Sequence, residues 1–232
     1  VHLLWVLSLV LSGGGKSVAI AVTLHGMEVM KFSRTLLYDP VLRVLHAWNG
    51  FFIVALLLTS AAADVLGLDG SVAGLWRLHV WLGYGLLLGV VGRMVWGVVG
   101  PARARWSVLW QLRQLMGDLR HKRVVELGGG DRPPPLAALF YLVSYGVLLL
   151  SVMTGLALVA IEFDSGPLRV VLGLAFTWGD AVKVAHELGE KWFYLFLLVH
   201  FAAMIWHERR DGVPVAQGMI SGYHYRREDE DA

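Results

Sequence analysis

The stretch HELGEKWFYLFLLVH, residues 186–200, carries a histidine at each end of a strongly apolar segment. At about 1.5 Å of rise per helical residue, His186 and His200 stand roughly 21 Å apart along one axis. Their separation is close to four turns, so both side chains leave much the same face. A bilayer's hydrocarbon core is about 30 Å thick, so one helix offers an imidazole near each of its sides. Ionisable side chains are rare at such depths and mark a site by default. His46 and His79 sit at matching depths in two other apolar stretches, which turns one observation into a pattern.

Composition places the chain in the same class. Its 232 residues are 56% hydrophobic and 16% charged, and mean hydropathy is +0.60. Soluble domains carry closer to about 25% charged residues. The net charge of +2 gives no ground for nucleic-acid binding. With no cysteine, the chain has no disulfide, no covalent c-type haem attachment and no cysteine-ligated iron–sulfur cluster. A metal here falls to His, carboxylate or Met, and nine histidines make imidazole the natural ligand.

Four stretches approach or exceed the roughly 20 residues a membrane helix needs: about 41–63, 76–99, 136–161 and 180–207. The fold class expected is all-α, an integral membrane four-helix bundle. The linkers orient it. The segment 100–135 holds Arg103, Arg105, Arg113, Arg120, Lys122, Arg123 and Arg132, Lys31, Arg34 and Arg43 lead into the first span, and Arg209, Arg210, Arg226 and Arg227 follow the last. The connections 64–77 and 162–191 hold four Lys or Arg between them. The positive-inside rule then puts both termini and the middle loop in the cytoplasm.

Domain organisation follows. Residues 1–30 are a poorly defined N-terminal segment, 31–222 the membrane domain, and 223–232 a charged tail. Leu3–Leu11 is too short to span, lacks a charged start, and is followed by Gly13-Gly14-Gly15. Met27 and Met30 sit just before the coherent part, so a translation start upstream of the true one is one reading. The stretch 103–123, with Trp106 and Trp110, reads as lying on the inner membrane surface. Leu168–Trp178 reads as a short outer interfacial helix. Gly128-Gly129-Gly130 and Pro133-Pro134-Pro135 break any helix before the third span.

Given that topology, depth pairs His46 with His200 on the cytoplasmic side and His79 with His186 on the outer side. Helical bundles commonly build cofactor sites from facing helices. Two opposed imidazoles without further protein ligands do not make a structural zinc site, which wants four. They suit haem, whose macrocycle supplies four nitrogens and leaves two axial positions; copper also accepts imidazole. Gly83, Gly85, Gly89, Gly92 and Gly97 in the second span, with Gly146 and Gly155 in the third, allow either a flat macrocycle or close helix packing. Arg93 lies on the His79 face but deeper, and Arg43 is one turn before His46. Both are placed to meet haem propionates through charge-assisted hydrogen bonds, while Arg43 reads equally as an interfacial charge.

At these residues the chain resembles the bacterial cytochrome b-561 and Ni/Fe-hydrogenase b-type cytochrome family, four-span di-haem electron carriers. Tyr38-Asp39, Arg43 and His46 match the approach to that family's first span, although Ala47 stands between the histidine and Trp48 where the family usually has Trp directly. His79, Gly83-Tyr84, Arg93, Trp96-Gly97 and Gly100 match its second span, followed by Ala104-Arg105-Trp106. His186 and His200 match its fourth-span pair, and Met219-Ile220-Ser221-Gly222 its tail. The resemblance covers about residues 33–222. It implies two haem b groups, electron transfer within membrane lipid, and exchange with quinone or quinol and with a periplasmic cytochrome or a dehydrogenase subunit.

The competing readings are specific. One is a haem-bearing membrane anchor subunit of a hydrogenase or other dehydrogenase. Another is a non-haem transporter or structural membrane protein, although transporters usually show repeated halves and none is visible. A single intramembrane histidine is often a hydrogen-bonded core residue. His207, one heptad after His200, rivals it as inner ligand but sits beside Glu208 and Arg209, as an interfacial residue does. Glu187 and Glu190 read either as a proton relay beside the outer pair or as a solvated helix end.

Overall fold

The computed structural model describes residues 18–22, 30–66, 73–108, 135–172, 178–211 and 216–227. Most of the segment 1–30, most of the surface stretch 103–123, the glycine run 128–130, Pro133, Pro134 and part of 168–178 lie outside the described residues. Four long helices dominate: α1 (Pro40–Leu66), α2 (Ala73–Val99), α3 (Pro135–Phe163) and α4 (Gly179–Asp211). Each is long and apolar enough to cross a membrane. They contain the four expected spans and overrun them by at most a few residues at each end.

Local chemistry sets the ends. Pro40 opens α1 with its backbone angle already helical, and the Asp39 carboxylate accepts the Leu42 N–H at 3.0 Å as an N-cap. Asp180 lies in the first turn of α4, and Arg209 and Arg210 in its last, matching the helix dipole at both ends. Gly189 does not interrupt α4. Beyond α3, Asp164 and Gly166 adopt positive φ, and a one-turn helix, Arg169–Leu172, occupies part of the expected outer helix.

Residues 44–199 form one compact unit. Its core is Leu57 from α1, Leu86 and Val90 from α2, Leu148 from α3 and Phe193 from α4. Leu58, Leu88 and Leu198 point outward, each more than 60% exposed. Apolar surface on that scale fits lipid rather than water.

The helices approach through glycine. A side-chain carbon at Gly85 would meet the Phe52 ring, one at Gly89 would meet Trp48 and Asn49, and one at Gly92 would meet Leu45. The gaps are filled by polar contacts: Trp48 Nε1 donates to the Gly85 carbonyl at 2.8 Å, and Asn49 Nδ2 to the Gly89 carbonyl at 3.3 Å. Gly155 faces His186 and Gly189 faces Ser151 across the α3–α4 contact. Gly83 and Gly146 alone of the expected set have open space beside them. Most of the glycines thus serve helix packing.

Residues 1–43 and 200–232 form a second unit. It holds an antiparallel sheet in the order β1-β2-β3, with β1 at Val18–Val22, β2 at Met30–Leu36 and β3 at Tyr223–Arg227. Val18 pairs with Arg34, and Leu36 with Tyr223. No strand was expected from the sequence. A two-turn helix, Ala216–Ser221, ends at Gly222, whose φ of 86° is the left-handed region glycine favours. The Gly222 carbonyl accepts the N–H groups of Leu37 and Tyr38 at 2.8 and 3.2 Å.

Gly97 generates a test. A methyl there collides with the Trp106 indole, and overpacking of this kind costs about 1–3 kcal/mol. Gly97→Ala is expected to lower the melting temperature of detergent-solubilised protein; an unchanged melting curve would show that the contact is not tight.

Candidate metal centre

α2 carries His79 and α4 carries His186, and within the unit 44–199 their ring centroids lie 6.4 Å apart. Two imidazoles sharing one metal from opposite sides would be separated by about 6.2 Å, from bonds of about 2.0 Å each and about 1.1 Å from each nitrogen to its ring centre. The ring planes stand 75° apart. Axial ligands tolerate this, because each ring turns about its own bond to the metal.

Hydrogen bonds determine which nitrogen each ring offers. The Thr59 hydroxyl donates to the Leu56 carbonyl at 2.8 Å and lies 2.8 Å from His79 Nδ1. With that proton given to the Leu56 carbonyl, the Thr59 oxygen is left to accept, an arrangement that suits a proton on His79 Nδ1. On α3, the Thr154 hydroxyl donates to the carbonyls of Leu150 and Ser151 at 2.9 and 3.1 Å and lies 3.0 Å from His186 Nδ1. The Ser151 carbonyl, which can only accept, lies 3.1 Å from the same nitrogen. The Ser151 contact puts the His186 proton on Nδ1 and leaves a lone pair on Nε2, and the Thr59 contact suits the same tautomer at His79. Ligand histidines in metalloproteins are fixed in this way, by tying back the other nitrogen.

A cavity of about 1860 Å³ opens beside the pair, lined among others by Gly83, Tyr84, Val152, Glu190 and Tyr194. The volume exceeds that of ordinary small-ligand pockets, about 300–1,000 Å³. A mostly apolar lining with two lone pairs fits a flat, apolar macrocycle carrying its own iron. Among the described residues no group of three or more His, Asp or Glu is placed to hold a bare metal ion.

Arg93 is 7% exposed. Its Nε donates to the Tyr145 hydroxyl at 3.3 Å, and its guanidinium carbon lies 4.2 Å from the centre of the Trp106 ring. Nη1 is buried with no hydrogen-bond partner among the described residues. A buried cation with an unanswered N–H fits an anion such as a propionate.

The other expected residues sit as follows. His46 is exposed on α1 and belongs to the unit 44–199. His200 is partly buried on α4 in the other unit, with its ring 5.6 Å from that of Phe201. Arg43 donates to the carbonyls of Met219, at 3.3 Å, and Ile220. It clamps the C-terminus of the two-turn helix, as basic side chains there commonly do.

Sequence reasoning missed Thr59 and Thr154. A threonine inside an apolar helix carries no signal of its own, and each meets its histidine across a helix interface. Ser151 was missed because its backbone carbonyl is the group in contact.

No curated protein and no solved structure matches the chain. A family model described as prokaryotic cytochrome b561 matches residues 37–222. The match takes in all four long helices, both rings of the 6.4 Å pair, and Arg93. A b-type haem is the group this family implies, and the lone pairs, cavity and buried guanidinium fit it. The chain belongs to the prokaryotic cytochrome b561 family: it is a multi-pass bacterial membrane cytochrome of the b type, working in electron transfer.

Proposed function

We propose that the chain is a di-haem cytochrome carrying electrons between the quinone pool and a redox partner, with His79 and His186 as axial ligands of an outer haem. The facing imidazoles, each tied back at Nδ1, carry this reading. His46 and His200 are proposed as ligands of an inner haem, on the strength of their depths along α1 and α4. Arg93 is proposed to hold an inner-haem propionate, supported by its unanswered Nη1. Arg43 is the second candidate for that role, in addition to its clamp on Met219 and Ile220.

When bound, haem supplies one-electron redox chemistry. The chain's residues would hold the rings in place and handle protons. A quinol that gives up two electrons also releases two protons. Glu187 and Glu190, beside His186 on α4 and lining the cavity, are proposed to accept them at the outer face. The partner is a periplasmic cytochrome or a dehydrogenase subunit. Both termini are placed in the cytoplasm, because the basic residues cluster on that side of the spans.

Haem content tests the ligands. His79→Ala or His186→Ala is expected to remove one haem of two by pyridine haemochrome assay, and His46→Ala or His200→Ala the other. Four variants each retaining two haems would overturn the assignment. Orientation is tested separately, because a chain without cysteine reports any single added thiol cleanly. Asp164→Cys should react with a membrane-impermeant maleimide in spheroplasts, and Arg103→Cys only after permeabilisation. The reverse pattern would invert the topology.

A further inference from the structure

Thr59 and Thr154 stand in different helices, both are more than 90% buried, and both do the same thing. Each hydroxyl donates back to a carbonyl of its own helix, as threonine does in apolar helices. What remains is a lone pair, and in both cases it lies within hydrogen-bond distance of Nδ1 of a histidine on a neighbouring helix. Valine would fill nearly the same space without accepting anything.

We propose that Thr59 and Thr154 are positioning residues for the outer histidine pair: each accepts one Nδ1–H, which fixes the tautomer and strengthens electron donation through the opposite nitrogen. This rests on the reading that His79 and His186 hold haem iron. The two sides are unequal. His186 has a second acceptor in the Ser151 carbonyl at 3.1 Å, whereas among the described residues Thr59 is the acceptor His79 has. Thr59 therefore carries more of the effect.

The consequence has a sign. Removing the Thr59 oxygen leaves an N–H unpaired in an apolar interior, and the ring donates less strongly through Nε2. Ferric iron loses more stabilisation than ferrous, so the midpoint potential rises. Loss of such supporting partners typically weakens metal-site affinity about 10–100-fold. A tenfold change in the preference for one oxidation state reads as about 59 mV in a one-electron couple.

The test uses purified full-length protein, followed by haem content, redox titration and electron paramagnetic resonance of the low-spin ferric signals. Thr59→Val is expected to raise the potential and shift the g-values of one haem only, or to lower its retention at least tenfold. Thr59→Ser, which keeps the oxygen, should restore both, and Thr154→Val should have a smaller effect on the same haem. Thr59→Val indistinguishable from the parent protein would overturn the proposal. So would Thr59→Ser as defective as Thr59→Val, which would assign the position to packing. His79→Ala separates the two levels. If it keeps both haems, the ligand reading itself fails; if it loses one while Thr59→Val is silent, the positioning role alone fails.

Discussion

An imidazole inside a lipid-embedded bundle cannot leave a nitrogen unanswered. In apolar surroundings an unsatisfied polar group costs several kcal/mol. His79 and His186 meet this constraint on one side only. Their Nδ1 protons are accepted by Thr59, Thr154 and the Ser151 carbonyl. The other side of each ring borders a cavity that is mostly apolar and carries charged side chains such as Glu187 and Glu190. A haem held by the two rings, as proposed above, would satisfy both rings at once.

The glycines make those hydrogen bonds possible. A hydroxyl on α1 reaches a ring on α2 at 2.8 Å, at one end of an interface packed farther along through Gly85, Gly89 and Gly92. On the other side, Gly155 and Gly189 let α4 settle on α3 until His186 reaches Thr154. Membrane helices gain little from the hydrophobic effect against each other, so close packing and interhelical hydrogen bonds hold them together. The same contacts that stabilise the bundle also aim the rings. Packing and ligand geometry are one property of the structure.

Much of this was legible beforehand, for physical reasons. Hydropathy located the four helices because each must cover about 30 Å of hydrocarbon with unbroken apolar chain. Depth along the axis paired His79 with His186, since helical rise is regular. The glycine stripe, by contrast, was ambiguous between cofactor clearance and helix contact, and only neighbours such as Phe52, Trp48 and Trp106 resolve it. The local β1–β2 pair was missed because residues 1–30 were read as poorly defined, and the β2–β3 pairing because Leu36 and Tyr223 meet across nearly the whole chain. Strand pairing over such a separation leaves no local hydropathy signal, although the alternation of Tyr223 and Tyr225 with His224 and Arg226 has the two-residue period of a strand. Arg43 read as a propionate or interfacial charge because its carbonyl partners at Met219 and Ile220 lie equally far along the sequence.

Arg93 extends the argument from geometry to energetics. Removing a guanidinium from water costs several kcal/mol unless counter-charge or hydrogen bonds replace its hydration. The faces of Trp106 and Tyr145 return part of that through cation–π attraction, and the Tyr145 hydroxyl accepts one N–H. Nη1 is still left over. A chain that keeps a cation in this condition is poised for an anion, and a carboxylate delivered by a bound cofactor would stabilise the fold as well as the cofactor. If Arg93 meets a propionate as proposed, loading and folding would be linked through one buried charge, which the Trp106 and Tyr145 rings help the bundle to hold.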